Sequence, residues 1–148
     1  MSTFTQILYQ IVFSTKKRRK WLLPENQDTL YRYIWGIIKN HNCHLYRING
    51  IEDHIHILTS IPPSVALADL VKDIKVASSK WIKEERIFPT FKAWQTGYGA
   101  FTYSIEEKDN LIEYVKNQKE HHRKLSFKEE LIILLKEHKI DFDEKYFD

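Results

Sequence analysis

The chain has 148 residues, of which 43% are hydrophobic, 14% aromatic and 29% charged, with a formal net charge of +3. This length and composition predict one folded domain and exclude a disordered, collagen-like or coiled-coil chain. No apolar run is long enough for a membrane span, and the single cysteine, Cys43, excludes an internal disulfide framework and a multi-cysteine zinc site.

The first half of the chain predicts a strand, a basic loop, a helix and a hairpin. Residues 6–13 are rich in β-branched and aromatic residues, which favour a strand. Pro24 opens a helix whose apolar residues recur at helical spacing as far as His41. Residues 43–48 and 51–61 then predict two strands joined by a turn at Asn49-Gly50.

The second half predicts a helix over residues 67–85 and a strand over residues 96–103. Two pairs with capping-box spacing follow. Ser104 and Glu107 start a third helix that runs to about His122. Ser126 and Glu129 start a fourth helix that ends near His138.

The order β-α-β-β-α-β predicts an α+β, ferredoxin-like (split βαβ) fold, followed by two C-terminal helices. A four-stranded antiparallel sheet would carry helices on one face and leave its other face open for a ligand or a partner. We expect a single domain over residues 1–148, with a core at 1–123 and a helical extension at 124–148. The extension carries no chemical signal. Because Met1 to Val12 lacks a basic segment before its apolar run, we expect no secretory signal.

Two histidines lie on the strand predicted after the hairpin turn. Side chains alternate along a strand, so His54 and His56 share one face while Ile55 and Ile57 face the core. Two imidazoles on one face can bind one metal ion. The alternative, which the bare H-x-H pattern favours, is a pair of surface histidines.

The third helix carries a tyrosine and a glutamine one turn apart. Tyr114 and Gln118 share a face. In one interpretation Tyr114 is a nucleophile and the Gln118 carbonyl is a third metal ligand. In the other, which spacing alone favours, Tyr114 belongs to the core and Gln118 marks the edge of the apolar stripe.

These segments together resemble the single-strand tyrosine transposases of prokaryotic insertion sequences, members of the HUH endonuclease superfamily and close relatives of the REP-associated tyrosine transposases. The resemblance spans nearly the whole chain in the right order. It is carried by YQIVFSTK at 9–16, DHIHIL at 53–58, Asp73-Ile74-Lys75 with Ser78, Ser79 and Trp81, WQTGYGAF at 94–101, and Tyr114 with Asn117, Gln118, His121 and His122. Glu52 stands where the family more often has proline.

The resemblance implies a homodimer that cuts and rejoins single-stranded DNA with hairpin ends through a 5′-phosphotyrosine intermediate. Tyr114 would be the nucleophile, and His54, His56 and Gln118 would bind Mg²⁺ or Mn²⁺. It implies no nucleotide cofactor. The lack of an apolar run and of a secretory signal predicts a protein of the cytoplasm without a membrane partner, and the expected DNA substrate implies association with the nucleoid. The sequence does not determine whether Tyr114 serves its own site or the partner's.

Basic residues on the basic loop and on the second helix are candidates for phosphate contacts, which give affinity rather than sequence choice. They are Lys16, Lys17, Arg18, Arg19, Lys20, Lys72, Lys75, Ser79 and Lys83, with Ser79 as a polar member. The basic run is equally typical of a solvated loop. Trp94, Tyr98 and Phe101 are candidates for stacking on bases. The alternative for each is packing in the sheet or at a dimer interface, which is the preferred interpretation for Phe101.

Two other functions stay open at this point. One is a domesticated hairpin-binding protein of the same fold that has lost catalysis. The other is a metal-dependent phosphohydrolase that uses a water nucleophile at His54 and His56.

Overall fold

The computed structural model describes residues 1–147 and contains a four-stranded antiparallel sheet. Its strands are β1 (Leu8–Ser14), β2 (His44–Gly50), β3 (His54–Ser60) and β4 (Gly99–Tyr103). The α-helices are α1 (Gln27–Asn40), α2 (Leu67–Glu84), α3 (Lys108–Lys116), α4 (Gln118–His121) and α5 (Phe127–Glu137). The strand order β2-β3-β1-β4 and the element order confirm the predicted α+β, ferredoxin-like plan.

Helices α1 and α2 cover the first face of the sheet. Ile11 of β1 and Ile57 of β3 pair in register and are fully buried on this face. The apolar stripes of the two helices pack against them through Ile34 of α1 and Ile74 of α2. Each fully buried Ile or Leu contributes about 1.5–3 kcal/mol, so this layer stabilises the packing of the sheet against α1 and α2.

The second face of the sheet is also covered, which corrects the expectation of an open face. Leu8 and Leu58 pack against α3, and Val12 and Phe101 pack against α5. The sheet is therefore buried on both sides. The physical reason is that β1 and β3 carry large apolar side chains on this face too, and these require a cover.

The hairpin turn differs from its prediction. Asn49 and Gly50 lie inside β2, and the connection to β3 occupies residues 51–53. Gly50 is needed for a close approach rather than for a turn, because a Cβ there would lie 2.1 Å from the His54 carbonyl oxygen. The Asn49 side chain donates instead to the Lys116 carbonyl at 2.9 Å, which ties the end of β2 to the end of α3.

The third predicted helix is interrupted. A 3₁₀ turn at Ile105–Glu107 leads into α3, and Asn117 separates α3 from α4. Ser104 accepts from the Glu106 amide, so it caps the turn without forming the expected capping box. The Ser126–Glu129 capping box is confirmed at the start of α5. Among residues 1–147, no helix has the length and apolar character needed to cross a membrane.

Candidate metal and nucleophile site

His54 and His56 are buried between the sheet and the C-terminal helices. Both side chains are 0% exposed, opposite Ser14 and Val12 of β1 respectively. The alternative of two surface histidines therefore does not hold. A pair of imidazoles at this depth requires hydrogen-bond partners or ligands, because an unpaired buried polar group is costly.

The Nδ1 atoms of these histidines face acceptors at the outer side of the site. His54 Nδ1 lies 2.7 Å from Asp53 Oδ1. His56 Nδ1 lies 2.7 Å from Gln10 Oε1, and the Gln10 amide nitrogen donates to the Tyr103 hydroxyl at 2.9 Å. Each Nε2 atom therefore points inward, the orientation that outer hydrogen bonds impose on metal-binding histidines.

Helix α4 brings Gln118 to the same place, as the resemblance implied. Its side chain is 0% exposed, and its Oε1 atom lies 3.1 Å from His54 Nε2. The same oxygen lies 3.1 Å from Nε2 of His122, which follows one turn later. His122, one of the residues that carry the family resemblance, belongs to the cluster. Its Nδ1 contacts the Leu125 carbonyl.

Glu130 of α5 enters the centre of the cluster, and the sequence analysis missed it. Its side chain is 1% exposed. Its Oε1 atom lies 2.8 Å from His56 Nε2, 3.0 Å from His122 Nε2 and 3.4 Å from His54 Nε2. A signal was present: Glu130 lies on the same stripe of α5 as the buried Phe127 and Leu134, where an acid is out of place.

Tyr114 of α3 contacts the cluster through its hydroxyl group. The hydroxyl donates to Glu130 Oε2, which also accepts from Gln118 Nε2 at 3.0 Å. The Tyr114 ring lies 5.9 Å from the His56 ring and 4.8 Å from the His121 ring. Tyr114 is thus half-buried and reaches the histidine pair of its own chain, rather than serving only as core packing.

The electrostatics of the cluster hold Glu130 ionised and Tyr114 neutral. Burial alone would raise the pKa of Glu130, but its hydrogen bonds with the three histidines lower it well below its usual range. Burial and the Glu130 charge raise the pKa of Tyr114 well above its usual range. Burial lowers the pKa of His56 to about 4, so this imidazole is neutral at pH 7.

His54 differs from His56 in its charge balance. Burial opposes the charged form of His54, but the hydrogen bonds with Asp53 and Glu130 outweigh it and raise the pKa above the usual value. The charged form is therefore favoured at His54 and disfavoured at His56. An acidic group stands on both sides of His54, whereas the Nδ1 side of His56 meets only the neutral amide of Gln10.

The donor set fits a divalent ion. Three imidazole nitrogens and a carboxylate oxygen, from His54, His56, His122 and Glu130, all lie within 4.8 Å of one another. Ligands bound at right angles to one ion at about 2.1 Å are about 3.0 Å apart. The separations of Glu130 Oε1 from the three Nε2 atoms, 2.8, 3.0 and 3.4 Å, bracket that value.

The basic loop, residues 16–20, lies beside the end of β1 that pairs with His54. Thr15 donates its amide to the Asp53 carbonyl at 2.9 Å, next to His54. Lys16 and Lys17 are attached through their amides to the Ala93 carbonyl at 3.0 Å and to Gln95 Oε1 at 2.8 Å. The side chains of Lys16, Lys17, Arg19 and Lys20 are exposed.

A groove along α2 continues this surface. It is lined by Lys72, Ser79 and Lys83 together with Tyr98, which is 42% exposed. Gln95 links the two basic regions, because its Oε1 atom accepts from the Lys17 amide and the residue also lines the groove. We call the two regions together the basic surface; it consists of Lys16, Lys17, Arg19, Lys20, Lys72, Ser79, Lys83 and Tyr98.

Two predicted phosphate-binding residues are engaged within the chain instead. Lys75 is half-buried and donates to the carbonyls of Gln95 and Gly97, the former at 2.8 Å. Burial also lowers the pKa of Lys75. The Arg18 guanidinium donates to the Phe147 carbonyl. Lys75 therefore positions residues 95–97, a role that its place on the polar face of α2 did not indicate.

The three aromatic candidates differ in their exposure to solvent. Trp94 is 8% exposed, donates to Ser78 Oγ at 3.0 Å and packs against Phe13. Phe101 is 2% exposed, as expected for a packing residue. Only Tyr98 of the three presents a ring to solvent.

Comparisons with known proteins agree on the family. Residues 3–118 match the family model described as "Transposase IS200 like". The ISDra2 transposase TnpA of Deinococcus radiodurans is 25% identical over 120 residues, which cover 76% of this chain and 84% of that protein. The IS200 transposase of Salmonella typhimurium is 26% identical over 117 residues, 76% of each chain.

Solved structures share the fold. A putative transposase from Deinococcus radiodurans matches with a TM-score of 0.63 and 23% identity, covering 80% of this chain and 95% of that one. A REP-associated tyrosine transposase, solved bound to a REP hairpin, matches with a TM-score of 0.62 and 13% identity, covering 82% and 74%. Since the family model matches most of the length of this chain, the chain belongs to the IS200-like transposase family.

Proposed function

We propose that this chain cuts and rejoins single-stranded DNA in a metal-dependent reaction that passes through a 5′-phosphotyrosine intermediate. The observation that carries the proposal is the buried cluster in which His54, His56 and Gln118 converge beside the Tyr114 hydroxyl. Membership of a transposase family supports the same reaction class.

In this proposal His54, His56 and Gln118 hold Mg²⁺ or Mn²⁺. A bound divalent ion supplies Lewis-acid polarisation of a phosphoryl oxygen and orients the phosphate. Imidazole ligands favour Mn²⁺ over Mg²⁺, which prefers oxygen ligands. Asp53 and Gln10 keep the two imidazoles in the required orientation through their Nδ1 atoms.

Tyr114 is the proposed nucleophile. Its phenolic oxygen attacks the phosphorus, the bond between phosphorus and the 3′ oxygen breaks, and the DNA is left with a free 3′-OH and a 5′ phosphate on Tyr114. Attack requires the phenolic proton to leave, and Glu130 Oε2 is the acceptor in contact with it. The departing 3′ oxygen takes up a proton from water. Because the phosphotyrosine retains a phosphodiester bond, rejoining by a 3′-OH needs no nucleotide cofactor.

The basic surface is proposed to hold the DNA backbone, with Tyr98 stacking on a base. DNA with hairpin ends is the proposed substrate, and the solved relative bound to a REP hairpin supports this choice. A homodimer would supply two tyrosines, enough to cut both ends of an element. Such a protein would act in the cytoplasm, associated with the nucleoid.

Strand cleavage tests the proposal. The wild type, with Mn²⁺, is expected to nick end-labelled single-stranded hairpin DNA, whereas Tyr114→Phe lacks the attacking oxygen and should show no nicking above background. Tyr33→Phe is the matched control, since Tyr33 contacts the Ala77 carbonyl on the other side of the sheet. It should retain wild-type nicking.

Two other outcomes identify other functions. Specific hairpin binding without nicking, unaffected by EDTA, would indicate the non-catalytic binding protein. Nicking that survives in Tyr114→Phe would contradict the tyrosine mechanism and indicate a water nucleophile.

A further inference from the structure

The three histidines of the cluster share one arrangement of protons. Each places its Nδ1 atom against an oxygen outside the cluster: His54 against Asp53, His56 against Gln10 and His122 against the Leu125 carbonyl. A carboxylate and a backbone carbonyl only accept, and Gln10 donates elsewhere with its amide nitrogen. All three Nδ1 atoms therefore carry the hydrogen.

A neutral imidazole with hydrogen on Nδ1 has a lone pair on Nε2. The three Nε2 atoms converge on Glu130 Oε1, at 2.8, 3.0 and 3.4 Å, and two of them also face Gln118 Oε1 at 3.1 Å. The separations of Glu130 Oε1 from the three Nε2 atoms match those of ligands that share one divalent ion at about 2.1 Å.

We propose that Glu130 of α5, together with His122, completes the donor set of the divalent ion that His54, His56 and Gln118 are proposed to bind, an inference that rests on the proposed metal-dependent function. Glu130 Oε2 is taken by the Tyr114 hydroxyl and Gln118 Nε2. Its Oε1 atom is thus left as the ligand. The ion is bound by three nitrogens and two oxygens.

Both added ligands lie outside the segment that matches the family model, which ends at residue 118. The ion therefore joins the sheet to α5 of the C-terminal extension, from β3 to Glu130. These ligands come together only when the chain folds. Metal binding is therefore coupled to the folding of the elements that carry them. Three imidazoles also favour Mn²⁺ and later first-row ions over Mg²⁺.

Metal titration tests the ligand role of Glu130. Mn²⁺ binding to the whole protein, free of DNA, is measured by calorimetry or by the EPR signal of free Mn²⁺. Glu130→Gln keeps the shape of the side chain but loses the charged ligand, and its dissociation constant for Mn²⁺ should rise at least about tenfold. Glu137→Gln removes the same charge from an exposed position on α5 and should bind as the wild type does.

Equal or tighter Mn²⁺ binding by Glu130→Gln would overturn the proposal, because the carboxylate would then compete with the ion rather than bind it. His54→Ala separates this failure from that of the proposed function. If His54→Ala loses the ion while Glu130→Gln keeps it, only the ligand role of Glu130 fails. If the wild type binds no divalent ion, the metal-dependent function fails as well.

Two measurements on the wild type avoid any dependence on the folding of variants. Electron spin-echo spectroscopy of bound Mn²⁺ should resolve three coordinated imidazoles; two would remove His122 from the set. Hydrogen exchange should slow in the peptides of α5 when Mn²⁺ is added. Unchanged or faster exchange there would contradict coordination by Glu130.

Discussion

At the scale of single residues, the cluster depends on side chains that touch no substrate. Gln10 is buried in β1 and holds the His56 ring through its Oε1 atom, while its amide nitrogen is fixed by the Tyr103 hydroxyl. His56 thereby presents Nε2 to the interior. A residue with this role acts through another and should affect metal affinity more than folding.

The first prediction concerns this positioning. Gln10→Met keeps the volume but removes the acceptor for His56 Nδ1, so the Mn²⁺ dissociation constant should rise about 10–100-fold. Calorimetric titration measures it. Gln6→Met, at an exposed position before β1, is the control and should leave affinity unchanged. Wild-type affinity in Gln10→Met would show that the Gln10 contact does not orient the ring.

The sequence was most informative where strand alternation applies. His54 and His56 share a face because the side-chain period is two, and the predicted core positions Ile55 and Ile57 are fully buried. Glu130 was not predicted, because nothing local shows that α5 folds back onto the second face of the sheet. The position of Glu130 on an apolar stripe was the available signal. That signal can be interpreted only once α5 is known to pack on the sheet.

At the scale of elements, α5 carries the buried acid and begins at a complete capping box. Ser126 Oγ accepts from the Glu129 amide at 3.1 Å, and the Ser126 amide donates to Glu129 Oε1 at 3.2 Å. Ser126→Ala should lower the free energy of unfolding by about 1 kcal/mol. Urea denaturation measures it.

Ser104→Ala is the comparison for that variant. Ser104 caps only a 3₁₀ turn, with a 3.4 Å contact to Glu106, so its loss should cost less than the loss of Ser126. A larger effect for Ser104→Ala would contradict the assignment of the stronger cap to α5.

We expect the packing of α1 against α2 to depend on pH through His41. His41 at the end of α1 has a raised pKa because it contacts the Ile37 carbonyl and Asp73 of α2, the latter at 2.8 Å. A raised folded-state pKa gives stability that is fully present below the unfolded pKa, about 6.5, and is lost as pH rises through the folded value.

His41→Asn should therefore lose more stability relative to the wild type at pH 5.5 than at pH 8.5. Urea unfolding at both values measures the difference. Since the pair is partly exposed, the effect should also shrink with added salt. An equal loss at both pH values would indicate that protonation of His41 plays no part.

Element boundaries were predicted less well than element types. Asn49-Gly50 is a strong turn signal, yet the approach of β2 to β3 uses Gly50 for space inside the strand. The third helix stops at Asn117, which separates the helix of Tyr114 from that of Gln118. In both cases tertiary contacts override a local sequence pattern. One such contact is the hydrogen bond from the Asn49 side chain to the Lys116 carbonyl.

At the scale of the whole molecule, the basic surface begins beside His54, where the Thr15 amide donates to the Asp53 carbonyl, and extends along α2. Lys72 and Lys83 are exposed on α2. Each phosphate contact to single-stranded DNA contributes about 0.7 to the slope of log affinity against log salt. Lys72→Gln/Lys83→Gln should therefore weaken binding of single-stranded DNA and reduce that slope by about 1.4.

Fluorescence anisotropy over a series of salt concentrations measures this slope. Lys124→Gln/Lys136→Gln removes the same charge from exposed positions outside the basic surface and is the control. If both double variants weaken binding equally, net charge rather than the basic surface determines affinity.

The proposed mechanism requires that Tyr114 become covalently attached to the 5′ phosphate of cleaved DNA. Covalent capture detects this bond: the protein is incubated with labelled single-stranded hairpin DNA and Mn²⁺, denatured, digested and examined by mass spectrometry. We expect a metal-dependent nucleotide adduct on the peptide that contains Tyr114, absent with EDTA and in Tyr114→Phe. Cleaved DNA without such an adduct, or an adduct on another residue, would contradict it.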